Sequence, residues 1–143
     1  MKVLLLILAF FSILSCTVEP EAINYGKDNC QFCKMTIMDP KFGCEIVTKK
    51  GKIFKFDDLS CMIKYQKMDE QNKSEYAHVL INQFDINNEF ISVEKAFFIS
   101  SSKYPSPMLG NTAAFADEKQ ANELVITDKE AKKLNWNELL NKF

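Results

Sequence analysis

The chain has 143 residues, with 18 basic and 19 acidic side chains, a formal charge of −1 and a single histidine. That length is enough for one domain of ordinary size with a real core. No basic stripe or arm of the kind that follows a phosphate backbone is present, which sets nucleic acid aside as a partner.

The first element, residues 1–15, has one basic residue at Lys2, an apolar run from Val3 to Leu14 broken only by Ser12, and a small Ser15 before Cys16. This is the layout of a secretory signal, and it is shorter than the roughly 20 apolar residues of a membrane span. The run Ile13-Leu14-Ser15-Cys16 resembles a bacterial lipobox, in which the cysteine after the cleavage point receives lipid and becomes the new N-terminus. The expectation is a protein of the cell envelope, held to a membrane by acyl chains on Cys16 and facing the periplasm; a plain signal beside a chance cysteine is the alternative. Setting Lys2 aside leaves 17 of the 18 basic residues against 19 acidic ones, a mildly acidic mature chain.

Residues 16–29 are polar with one proline and one glycine, and read as a tether between membrane and domain. The folded domain is expected over 30–143. It opens on Cys30-Gln31-Phe32-Cys33-Lys34-Met35. Strand-like runs at Phe42 to Thr48 and Lys52 to Asp57, joined by Lys49-Lys50-Gly51, predict a β-hairpin. Asp57 to Tyr65, with an acidic start and apolar positions at 59, 62 and 63, predicts a short amphipathic helix.

The second half repeats the idea. Strands are predicted at Ala77 to Gln83 and Phe90 to Val93, then a strand or helix through Ala96 to Ile99 and a loop from Ser100 to Asn111. A helix over Asp117 to Leu124, a strand over Leu124 to Thr127, and a last helix from Lys129 to Asn141 capped by Asp128 complete the chain. The pattern is α+β, in two small halves without sequence identity to prove a duplication.

With Cys16 assigned to lipid, four cysteines remain: Cys30, Cys33, Cys44 and Cys61. Two disulfides are possible in an oxidising compartment, but disulfide scaffolds are denser in cysteine than this. Two thiols and a thioether between Cys30 and Met35 are soft donors that favour Cu(I), with zinc and iron–sulfur clusters as competitors. A structural zinc site wants four ligands, and no second paired motif completes one here. A thioredoxin-type Cys-x-x-Cys should follow a strand inside a βαβ unit, whereas this one follows a polar tether. A Cys30–Cys33 disulfide without function is the plain alternative.

Met108 stands in Pro105-Ser106-Pro107-Met108-Leu109-Gly110, off any periodic apolar face, where a methionine filling a core gap is the competing reading. Cys61 and Met62 fit the core stripe of a helix, and Cys44 fits the core side of a strand. His78 lies in an apolar strand, which favours packing over ligation, although imidazole suits copper.

Cys30-x-x-Cys33-Lys34-Met35-x-Ile37-x-Asp39, Phe42, Gly51-Lys52, Phe56-Asp57-Asp58, Cys61-Met62, Ser106-Pro107-Met108 and Ala113-Ala114-Phe115 together resemble the NosL family over nearly the whole mature domain. The resemblance implies a lipoprotein accessory factor of nitrous oxide reductase that binds Cu(I), not an enzyme. It also implies two small ββαβ-like units of the NosL and organomercurial lyase type, although fold alone does not give function. Carried over by position, Cys33 is the implied thiolate ligand and Met35 and Met108 the thioethers, with Cys30 and Cys61 outside the family's minimal set and ranked below Met108. The family pattern has Cys-Gly-Met and Pro-Met-Gly; this chain has Lys34 in place of the first glycine and Leu109 before Gly110.

The function expected is therefore membrane-anchored delivery of copper to apo nitrous oxide reductase or another copper protein. The enzyme alternative is a tethered thiol–disulfide oxidoreductase using Cys30 and Cys33. A structural lipoprotein with two disulfides is the third reading.

Overall fold

The computed structural model describes residues 18–143. The expected signal segment and the expected lipidation site Cys16 lie outside the described residues. Among the described residues no helix is long and apolar enough to cross a membrane.

The first half is built on strand β1 (Cys44–Thr48), which returns as β2 (Ile53–Phe56) through the turn at Gly51, whose φ of 78° suits a residue without a Cβ. Helix α1 (Leu59–Met68) follows directly and begins at Asp58, whose carboxylate accepts the Cys61 N–H. A short 3-10 turn (Glu70–Glu75) leads to β3 (Tyr76–Asn82) and β4 (Phe90–Ser92). The sheet order is β2-β1-β3-β4, with adjacent strands antiparallel and the β1–β3 register shifting between Val47 and Thr48, and β1 lies inside the sheet with most of its residues buried.

The second half uses the same plan. Strand β5 (Phe97–Ser100) pairs with β6 (Thr112–Phe115), helix α2 (Glu118–Thr127) follows, and β7 (Lys132–Leu134) pairs with the other side of β5. The order β6-β5-β7 repeats β2-β1-β3, so each half is a ββαβ unit with its first strand in the middle. Helix α3 (Trp136–Lys142) closes the chain. The larger core joins the halves: Ile46, Phe56, Met62, Ile63 and Ile81 of the first are buried together with Phe98, Ala114 and Leu139 of the second. Burying each such large side chain is worth roughly 1.5–3 kcal/mol.

Several elements depart from what the sequence predicts. Residues 124–127 are the last turn of α2, not a strand: Thr127 Oγ1 folds back onto the Glu123 carbonyl at 3.0 Å, and Leu124 and Val125 pack on the second core beside Ala121. β-branched side chains disfavour a helix only weakly, and packing overrides them. Asp128 does not start the last helix. It ends α2, accepts the Ser101 hydroxyl at 2.6 Å and pairs with Lys103, leaving residues 132–134 to form β7. Asn135 caps α3 instead, in a reciprocal box with Glu138. β6, unpredicted as a strand, is fixed by pairing with β5.

The segment expected as a tether is also folded onto the domain from Glu21 onward. Its N–H donates to Glu45 Oε1 at 2.9 Å, Ile23 is 2 % exposed, and the Tyr25 hydroxyl bonds to the Asn82 side chain. Gly43 makes room for this: a Cβ there would stand 2.7 Å from Ile23 Cδ1. His78 is exposed, its ring nitrogen 3.1 Å from the Val18 carbonyl, and neither packs in the core nor joins the sulfur cluster.

Candidate metal centre

Residues Cys30 to Met35 form a knuckle held by its own backbone. The Cys30 N–H donates to the Met35 carbonyl at 2.8 Å and the Lys34 N–H to the Cys30 carbonyl at 3.0 Å. The Gln31 N–H donates to the Lys55 carbonyl at 2.8 Å, which docks the knuckle on β2 one residue before Phe56 and Asp57. The end of β2 runs directly into the Asp58 cap of α1, so Cys61 in the first helical turn is delivered to the same place. Among the described residues, the Sγ atoms of Cys30, Cys33 and Cys61 all lie within 4.8 Å of one another. Cys30 and Cys61 are buried at 0 % and 1 % exposure, while Cys33 is partly open to solvent. None of these thiols is in a disulfide.

The sulfurs are electrostatically unequal. The Cys61 thiol donates to Cys30, and the N–H groups of Cys33, Asp57 and Phe32 also point at the Cys30 sulfur; against the effect of burial they hold its pKa down at about 5. Cys61 is pushed far up, first because its proton is committed to Cys30 and then by burial. Cys33 is raised by burial and by the anionic neighbour, although the Met35 N–H at its sulfur acts the other way. The cluster therefore favours the thiolate at Cys30 over Cys33 and Cys61. Asp57 sits beside it, raised to about 6 by burial and by the Cys30 thiolate, with its Oδ1 lacking any hydrogen-bond partner. A buried thiolate and a half-satisfied carboxylate form an anionic recess that suits a cation.

Asp58 links this cluster to the distant Pro-Met loop. Its Oδ1 accepts the Cys61 N–H at 3.1 Å and the Ser60 hydroxyl at 2.8 Å. Its Oδ2 accepts the Ser106 hydroxyl at 2.6 Å, the Met108 N–H at 3.2 Å and the Gly110 N–H at 3.4 Å. Gly110 leaves room for that approach, since a Cβ there would be 3.0 Å from Asp58 Oδ2 and 3.2 Å from Ser106 Oγ. Met108 is partly buried and packs against the same core that contains Cys30 and Cys61.

A sequence profile of the NosL family matches residues 22–140. The chain belongs to the NosL family. Among solved structures it is similar to the copper chaperone NosL from Shewanella denitrificans, with 18 % identity, a TM-score of 0.70, and coverage of 85 % of this chain and 96 % of that one. The likeness extends the family assignment to the fold, two ββαβ units included. No curated protein matches the chain.

On this NosL fold the expected site residues are distributed unevenly. Cys33 lies in the thiol cluster, and Met35 follows it on the knuckle with its side chain 49 % exposed. Met108 reaches the cluster's helix through the Asp58 carboxylate. Cys30 and Cys61, ranked behind Met108 in sequence, are brought to Cys33 by the fold. Cys44 is fully buried apart from them, its thiol donating to the Phe42 carbonyl at 3.3 Å. The two departures from the NosL glycine pattern are both in the left-handed region: Lys34 at φ 67° and Leu109 at φ 59°. The loop shapes of a glycine pattern are therefore kept by side chains that disfavour them. Sequence reasoning missed Asp58 altogether as a site residue. Its role as helix cap is visible in the run Asp57-Asp58-Leu59-Ser60; its role as acceptor for a loop some fifty positions away is not.

Proposed function

We infer that this protein is a Cu(I)-binding accessory protein, a metallochaperone tethered to the membrane through lipid on Cys16. Cu(I) is bound by Cys33 with Met35 and Met108 as thioether ligands, and is handed to apo nitrous oxide reductase or another copper protein in the periplasm. The observation that carries the reading is the partly exposed, unpaired Cys33 of the sulfur cluster, with Met35 following on its own turn and the Met108 backbone held by the helix cap that also holds Cys61. One thiolate and two neutral thioethers keep the charge of the bound site low and exclude harder ions. The crystal structure of a copper chaperone with the same fold supports the cargo.

Release proceeds by ligand exchange, which needs an accessible donor; Cys33 and half-exposed Met35 provide that edge. The test is competition for Cu(I) under reducing, anaerobic conditions. The Met108→Ala protein should stay folded and give up Cu(I) to the competing chelator about tenfold or more slowly. An unchanged release rate removes Met108 from the site.

Thiol–disulfide exchange has one observation in its favour, the low pKa of Cys30. The thiolate is 0 % exposed, however, and the accessible thiol, Cys33, has a raised pKa. An oxidoreductase needs its low-pKa sulfur to be the accessible one. Insulin reduction that survives loss of Met35 and Met108 would restore the enzyme reading.

A further inference from the structure

Resting on the copper reading above, we propose that Cys30, Cys33 and Cys61 form a complete inner site for a soft monovalent ion, and that Cys33 is shared between this site and the outer one with Met35 and Met108. The protein then has two stations for one ion, an inner one that retains it and an outer one that gives it up.

Metal–thiolate bonds of about 2.3 Å in a planar three-sulfur arrangement place the sulfurs about 4 Å apart. The three Sγ atoms already lie within 4.8 Å of one another, so closing onto an ion requires small side-chain adjustments and no backbone change. Each sulfur comes from a rigid support. The knuckle is cross-linked by backbone hydrogen bonds and docked on β2, and Cys61 is in a capped helical turn. Cys30 and Cys61 are buried, and so keep a bound ion from water and from harder ligands. Neither can meet a partner protein directly. Cys33 can, because it alone of the three is partly exposed. A three-thiolate site matches an ion content with low coordination number; divalent zinc would still lack a fourth ligand.

Loading forms three S–Cu bonds and releases the protons carried by the thiols, with copper remaining Cu(I) throughout. Passage outward breaks the bonds to Cys30 and Cys61, of which Cys61 takes up a proton again and donates it in a hydrogen bond to the Cys30 thiolate, and forms bonds to the two thioethers while the Cys33 bond persists. No electron changes hands.

The test uses the full chain, reduced and anaerobic, titrated with Cu(I) against a chromophoric chelator. Three proteins are compared: wild type, a Met35→Leu/Met108→Leu double variant, and the double variant carrying Cys61→Ser. The methionine changes fall on half-exposed and partly buried side chains and leave the core intact. The two-station arrangement predicts that the double variant still holds one equivalent of Cu(I), with thiolate-to-copper charge transfer and three sulfurs by X-ray absorption. It also predicts slower release to the chelator, about tenfold or more, and loss of the three-sulfur site when Cys61 is also removed. A double variant that is folded by circular dichroism but binds no Cu(I), while wild type does, overturns the inner site and leaves the outer one standing. Equal retention with and without Cys61 also overturns it. Absence of binding by wild type is a different result, and contradicts the copper reading itself.

Discussion

Asp58 and Met108 are joined by a backbone hydrogen bond of 3.2 Å to one carboxylate oxygen, while the other oxygen of the same carboxylate takes the Cys61 N–H at 3.1 Å. One buried side chain thus fixes the distance between the knuckle's helix and the Pro-Met loop, two pieces of chain that local sequence does not connect. Five donors saturate it, from Ser60, Cys61, Ser106, Met108 and Gly110.

Replacing Asp58 by Asn presents an amide N–H₂ to groups that are themselves donors. The Ser106 hydroxyl and the Met108 and Gly110 N–H groups lose a charged acceptor, a loss of about 3 kcal/mol when hydrogen bonds to a buried charge are worth about 1.5–3 each and part is regained on relaxation. A urea midpoint that falls accordingly, together with weaker Cu(I) binding, is the expected outcome. Ser106→Ala should follow in the same direction with about half that effect.

Lys34 and Leu109 hold left-handed backbone without being glycine. Relief of roughly 1–2 kcal/mol of strain against about 0.5–1 of added chain entropy makes Lys34→Gly and Leu109→Gly each stabilising by about 0.5–1 kcal/mol. Leu109→Val, β-branched at the same φ, should destabilise. Thermal melts of the three proteins decide it; a glycine variant that melts lower than wild type contradicts the strain assignment.

Glu45 on the central strand is 0 % exposed, with Oε1 on the Glu21 N–H and Oε2 unpartnered. Burial raises its pKa from 4.5 to about 7. The folded state therefore keeps the proton that the unfolded state gives up first, so stability is greatest below the unfolded pKa and falls as pH rises through the folded one. Glu45→Gln, isosteric and unable to ionise, should remove that decline, a difference on the order of 3 kcal/mol between pH 4.5 and 7. Denaturation of both proteins across this window checks it. Cys30 contributes with the opposite sign, its depressed pKa adding stability as pH rises, which is why the comparison with the variant is needed.

Alkylation distinguishes the thiols. Cys33 should be modified first by iodoacetamide, slowly at neutral pH because its pKa is raised, whereas buried Cys30, Cys44 and Cys61 react only on unfolding. Cu(I) loading should protect Cys33. Peptide mass spectrometry reads the order, and early labelling of Cys30 would contradict the burial of the thiolate.

Much of the fold is legible where the determinants are local. The hairpin around Lys49-Lys50-Gly51, the cap ahead of Leu59 and the Cys30 to Met35 knuckle each follow from a few adjacent residues. Elements decided by partners are less so. The β-branched end of α2 reads as strand until its packing on Ala121 is seen, and β6 exists because β5 pairs with it. In the site, Cys33 and Met35 are visible as a motif. The convergence of Cys61 on Cys30 and the Asp58 bridge are not, because they depend on β2 delivering one end of the chain to another. Nor does residue type disclose the left-handed turns, since Lys34 and Leu109 stand where glycine would have announced them.

That copper is held through Cys33 is tested most directly by anaerobic Cu(I) titration of the reduced protein against a chromophoric chelator beside Cys33→Ser. Cys33 belongs to both the outer and the inner set of sulfurs. Tight binding of one ion by wild type, lost in the serine variant, is the predicted result; absence of competitive binding by wild type, or binding that survives the substitution unchanged, contradicts it.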